Sequence, residues 1–129
     1  VPRSPDYLQA VRQFHQAFEL PFPERPTAAV EPEVRRSRES LMREELGELL
    51  AAMREEQLVE IADGLADLLY VVFGTAVVYG IPIDQVFTEV HDSNMTKLDS
   101  NGRPVVGENG KRLKGPLYRP PQLGPLLDA

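Results

Sequence analysis

The segment LVEIADGLADLLYVVFGTAVVY, from Leu58 to Tyr79, constrains the fold more than any other part of the chain. On a helix turning about 100° per residue, Glu60, Asp63 and Asp67 fall within roughly 60° of one another. The same stripe continues through Val71, Gly74 and Val78, so a face that begins acidic becomes apolar. Such a face is not solvated along its whole length, and it aims carboxylates at a bundle interior. Carboxylates that converge in a partly dry place repel one another and take up protons unless a cation holds them ionised. Oxygen-only ligands point to Mg2+ or Mn2+.

A second acidic cluster precedes it. In REELGELL, the pattern E-E-x-x-E places Glu44 and Glu48 one turn apart, with Glu45 bordering the apolar face. An isolated run of this kind is ordinarily a solvated face. Its pairing with Glu60, Asp63 and Asp67 changes the reading, because an unpaired carboxylate inside an apolar helix is strongly destabilising. The expected metal ligands are Glu45, Glu48, Glu60, Asp63 and Asp67.

Composition narrows the alternatives. With 129 residues, 42% of them hydrophobic, the chain is read as a single domain over residues 1–129 with one core. The absence of cysteine removes disulfides, thiolate metal sites and cysteine nucleophiles, and fits a cytoplasmic protein. A formal charge of −6 argues against a nucleic-acid polymer as partner. The apolar stretch Leu65 to Ile81 is broken by Asp67 and two glycines, and reads as a buried helix with no membrane partner. No leader peptide is read at the N-terminal end.

The elements follow from periodicity and breakers. Asp6 to Glu19 reads as a first helix, and the proline-rich stretch Leu20 to Pro32 as a loop. A second helix runs from Glu33 to Glu56, with Leu41, Leu46, Leu49, Leu50 and Met53 facing one way. The third, Leu58 to Tyr79, is stopped by Gly80 and Pro82 and is expected to be the most buried. A fourth spans Ile83 to Leu98. Beyond it come a hairpin turning at Asn109-Gly110 and a tail too rich in proline for regular structure. Phe14 and His15 on the first helix are candidate ligand-facing residues, an aromatic ring that can stack and an imidazole that can hydrogen-bond. Helix three is apolar around more of its circumference than one bundle layer covers, so a homodimer is expected.

With these residues in view, the chain resembles the all-α nucleoside triphosphate pyrophosphohydrolase superfamily, which includes MazG-type enzymes, dimeric dUTPases and phosphoribosyl-ATP pyrophosphohydrolases. The family's E-E-x-x-E followed by E-x-x-D is matched by Glu44, Glu45, Glu48, Glu60 and Asp63. GLADLLYVVFGTAVVYGIP and HDSNMTKLD add to the likeness, with Asn94 and Lys97 similar to the family's substrate-facing pair. In many relatives the second motif reads E-x-x-D-L-L, and aligning Asp67-Leu68-Leu69 that way puts Gly64 where a glutamate is expected. Glu60 and Asp63 then serve one turn earlier, or Asp67 shares the work.

The resemblance implies an all-α, four-helix-bundle-like MazG-type core with a short C-terminal hairpin and irregular tail. It also implies hydrolysis of a nucleoside triphosphate between the α and β phosphates, giving monophosphate and pyrophosphate for nucleotide-pool sanitation or dUTP removal. Glu44, with Glu45, is the expected catalytic group that orients or deprotonates water. Lys111, Arg112, Lys114 and Arg119 are left outside the core site as solvated hairpin and tail cations. The alternatives are phosphoribosyl-ATP hydrolysis in histidine biosynthesis, disfavoured because LLYVV lacks the expected histidine, and a non-catalytic metal-binding helical module.

Overall fold

The computed structural model describes residues 6–127, which fall into two compact units divided between Ile81 and Pro82. The fold is all-α, with four main helices and one minimal hairpin.

The first unit holds α1 (Tyr7–Ala17), α2 (Pro32–Arg54) and α3 (Leu58–Val78), with α3 packed against both others. Asp6 starts α1 by accepting the Gln9 N–H at 3.0 Å, and Leu8, Val11 and His15 form its buried stripe. Pro32 opens α2 at its first turn, where a missing N–H costs nothing. All three helices end in the same way: Leu20, Gln57 and Ile81 donate back five residues to His15, Ala52 and Ala76, around left-handed residues Glu19, Glu56 and Gly80. At Gly80 space demands glycine as well as φ, since a Cβ would stand 2.5 Å from the Arg25 carbonyl oxygen. The left-handed Glu56 makes the α2–α3 connection short enough to force the two helices antiparallel.

Their register is fixed by two close contacts. A Cβ on Gly64 would lie 3.2 Å from Leu49 Cα, while near the other end Arg38 reaches Val71 and Thr75. Gly64 is therefore a close-approach residue between the helices, where any side chain would wedge them apart. Of the residues read as one face of α2, Leu49 is buried whereas Leu46, Leu50 and Met53 are exposed, because α2 packs chiefly on α3 and turns inward only the narrow stripe holding Leu49 and Ala52. Burial of α3 is likewise uneven. Gly74, Ala76, Val77 and Val78 are buried, but Leu58, Val59, Leu65, Leu69, Tyr70 and Val72 are exposed. By length and composition alone α3 is apolar enough to cross a bilayer, yet its first half carries three acids.

The second unit begins with α4 (Ile83–Met95), which stops three residues before the expected Leu98. Thr96 ends it, with its hydroxyl donating to Ser93 O at 2.6 Å and accepting the Arg119 N–H at 2.9 Å. Lys97 thus lies beyond the helix, its N–H bonded to Asn94 O at 3.1 Å. Strands β1 (Val105–Val106) and β2 (Arg112–Leu113) pair antiparallel, Val105 opposite Leu113, around a turn in which Gly110 has φ 73°. The tail contains one short helix, α5 (Gly124–Leu127), which corrects the expectation of a wholly irregular segment. It is tied to α4 by the buried Ser93 hydroxyl, which donates to Arg119 O at 2.7 Å, and by Glu89. The Glu89 carboxylate accepts from Gln122 N–H and Arg119 Nη1, contacts that hold it below the ordinary carboxylate range. Arg119 is accordingly a structural cation.

Candidate metal site

Antiparallel packing brings the two acidic clusters into one groove of about 250 Å3 between α2 and α3. Glu48 and Glu55 line it from α2 and the turn after it, Glu60, Asp63 and Asp67 from α3, with Gly64 between them. Glu48 and Asp63 share this groove, as the sequence reading requires. Glu55 was not anticipated, although it stands seven residues after Glu48 and so on nearly the same helical face.

Glu45 does not line the groove but lies close enough to Glu48 and Asp67 to feel their charge. It is half-buried, and its Oε2 is enclosed without a hydrogen-bond partner. Burial first, then the negative charges of Glu48, Asp67 and Glu44, push its carboxyl above the ordinary range. An orphaned, mutually repelled carboxylate next to Glu48 and Asp67 of the groove has the chemistry of a hard-cation site, so the residues fit Mg2+ or Mn2+. The groove is open: among the described residues no group of three or more acidic or histidine side chains already stands arranged to hold an ion, and side chains must turn inward to chelate one. Glu44 is exposed, on the outer side of its cluster.

The aromatic candidates lie on α1. Phe14 stacks on Phe18 at 4.3 Å and meets Tyr70 edge-on at 5.6 Å, leaving part of its ring open. His15 is only 3% exposed, its Nδ1 has no partner, and its ring packs edge-on against Phe22. Burial, and secondarily the Arg38 charge, hold its pKa below the usual value. Arg38 went unremarked in the sequence; it donates from Nε to Thr75 Oγ1 at 3.2 Å and from Nη2 to Val71 O at 2.9 Å. Gly74 makes room for it, since a Cβ there would fall 2.5 Å from Nη2. Asn94 and Lys97 belong to the second unit, at the end of α4 and just past it.

Residues 11–94 match the family model for phosphoribosyl-ATP pyrophosphohydrolase, a span that includes every carboxylate of the groove. The chain belongs to this family of all-α nucleoside triphosphate pyrophosphohydrolases. It is also similar to a crystal structure of a "putative NTP pyrophosphohydrolase" from Exiguobacterium sp. 255-15, with 28% identity, a TM-score of 0.50, and 98% of this chain and 94% of that one covered. A further relative, the uncharacterized protein L479 of Acanthamoeba polyphaga mimivirus, is 33% identical over 110 residues. That match takes in 78% of this chain but only 39% of the viral protein.

Proposed function

We propose that the protein hydrolyses a nucleoside triphosphate between its α and β phosphates, releasing a monophosphate and pyrophosphate. The observation that carries this reading is the convergence of Glu48, Glu60, Asp63 and Asp67 on one groove, with the unpartnered Oε2 of Glu45 enclosed beside Glu48 and Asp67. A divalent ion held by these carboxylates would supply the positive charge that phosphate oxygens need beside an acidic protein, and would make a water more acidic. Glu45, Glu48, Glu60, Asp63 and Asp67 are the proposed ligands. Glu44, an exposed member of the cluster, is assigned as the group that accepts the proton of the attacking water.

Asn94 and Lys97 are assigned to substrate binding, and Phe14 offers a partly open ring for a base. His15 joins that assignment through its unpaired Nδ1. A homodimer belongs to the same reading: Leu58 and Val59 are 78% and 79% exposed, and a second copy would cover such residues. The matched family model keeps phosphoribosyl-ATP among the substrates to be compared.

The test is hydrolysis by purified protein, with Mg2+ or Mn2+, of common nucleoside triphosphates, dUTP and phosphoribosyl-ATP in heavy-oxygen water. Metal-dependent pyrophosphate release, with no label in free orthophosphate, is expected. Labelled orthophosphate with a diphosphate product would contradict the reaction.

A further inference from the structure

The second unit contains the same turn twice, and the two copies differ chemically at their first residue. In Asp99–Arg103 the Asp99 N–H donates to Arg103 O at 2.8 Å and the Gly102 N–H to Asp99 O at 2.9 Å. In Gly107–Lys111 the Gly107 N–H donates to Lys111 O at 2.8 Å and the Gly110 N–H to Gly107 O at 3.0 Å. Each turn has asparagine at its third position, followed by a glycine with φ 73°. Both asparagines are exposed, and a Cβ on either glycine would meet nothing within 4 Å, so water reaches both peptides.

An asparagine amide is most open to attack by the next backbone nitrogen when glycine follows, because no Cβ stands in the way. Attack needs the turn to open, since the glycine N–H is engaged, and needs that N–H to lose its proton. The first turn resists on both counts. Half-buried Asp99 accepts the Asn101 and Arg103 N–H groups on Oδ1, each at 2.9 Å, which braces the loop and sets a negative charge beside the Gly102 amide. The second turn has Gly107 at that place, with no side chain to do either. Glu108 at its crown is exposed, where solvent screens its charge, and the Arg112 guanidinium lies close, donating to Gly110 O at 3.0 Å. Only the pairs Val105–Leu113 and Val106–Arg112 close the hairpin around it, and so short a ladder opens readily.

We propose that Asn109 is a site of spontaneous deamidation and that Asp99 protects Asn101 from the same reaction. The Gly110 nitrogen forms a bond to Asn109 Cγ, the Cγ–Nδ2 bond breaks, and the proton lost by the Gly110 amide leaves with Nδ2 as ammonia. Water then opens the cyclic imide at either carbonyl, leaving an aspartyl or an isoaspartyl residue at position 109. The reaction consumes water, releases ammonia and needs neither metal, oxidant nor nucleotide. Either product adds a negative charge beside Lys111 and Arg112. The isoaspartyl form also lengthens the main chain by a methylene inside the turn, which the closure of Gly107 on Lys111 does not accommodate.

Incubation of the 129-residue chain in chelator at mildly alkaline pH tests this, with peptide mass mapping and chromatographic separation of aspartyl from isoaspartyl peptides. Both asparagines are then followed in one sample. Asn109 should convert at least about fivefold faster than Asn101, at a rate that rises with hydroxide concentration. Asp99→Ala should speed conversion of Asn101 by at least about threefold, with the circular dichroism unchanged, whereas Asp99→Asn, which keeps the acceptor oxygen, should speed it less. The comparison within the native chain needs no variant and decides the matter even where a substitution unfolds the protein. Equal conversion of the two asparagines, faster loss of Asn101, or no conversion at position 109 would overturn the proposal. An unmoved Asn101 rate in folded Asp99→Ala would overturn the protective role of Asp99.

Discussion

Arg38 and Glu45 lie two turns apart on the same face of α2, both half-buried against α3, and the fold treats them in opposite ways. Arg38 is given Thr75 Oγ1 and the Val71 carbonyl, neutral acceptors that solvate its charge inside the helix pair. Glu45 is given Glu48, Asp67 and Glu44 as neighbours, and one oxygen is left enclosed without a donor. A buried charge that keeps hydrogen bonds to neutral acceptors serves packing. One that is desolvated, repelled and unpaired costs stability until something binds, and that is how a ligand site differs from a structural charge.

The largest expected effect lies at the acidic end. Glu48→Gln and Asp63→Asn should each lower metal-dependent turnover by about 100-fold or more, measured as pyrophosphate release, while Arg38→Met should leave the Mn2+ affinity near that of the native chain. Stability should move in opposite directions at the two ends. Arg38→Met discards two hydrogen bonds of a charged group and should cost about 1–3 kcal/mol in urea unfolding. Glu45→Gln relieves repulsion and should stabilise the metal-free chain, so destabilisation by both substitutions would erase the contrast. Between the two ends, Gly64→Ala gains about 1 kcal/mol of helix propensity but sets a methyl 3.2 Å from Leu49 Cα. The overpacking should win, giving a net loss of up to about 2 kcal/mol together with weaker Mn2+ binding as the groove is splayed.

Acidity provides a finer probe. Because His15 is depressed in the folded chain, the unfolded chain binds its proton first, and stability should rise with pH from the folded value up to the ordinary 6.5 and then level off. Glu45 has the reverse sign: its raised carboxyl holds a proton longer when folded, so metal-free stability should fall as pH rises from 4.5 through the folded value. Urea unfolding in chelator across this range, with His15→Gln and Glu45→Gln variants, separates the two slopes. The smallest expected effect is at Glu56, whose φ of 54° suits glycine: Glu56→Gly should stabilise by about 1 kcal/mol without changing either charged end.

Much of the acidic end was legible because carboxylate spacing and a short connection leave antiparallel helices few ways to arrange two acidic stripes. Glu55 was overlooked beside the turn, where its heptad relation to Glu48 was the available signal. The Arg38 end was not legible, since its acceptors are a backbone carbonyl and a threonine hydroxyl, neither of which leaves a pattern. Hydrophobic periodicity shows that a face is apolar without saying what covers it, which is why the face shared by Leu46, Leu49, Leu50 and Met53 did not reveal that only Leu49 of these is buried. The early end of α4 depends on Thr96 hydrogen-bonding to Arg119, a contact 23 residues away in the chain.

The most direct test of the central claim is calorimetric Mn2+ titration of the native chain beside Glu48→Gln and Asp63→Asn. A metal held by the α2–α3 groove predicts binding to the native chain and at least about tenfold weaker binding in each variant. Native-like Mn2+ affinity in both variants would contradict it.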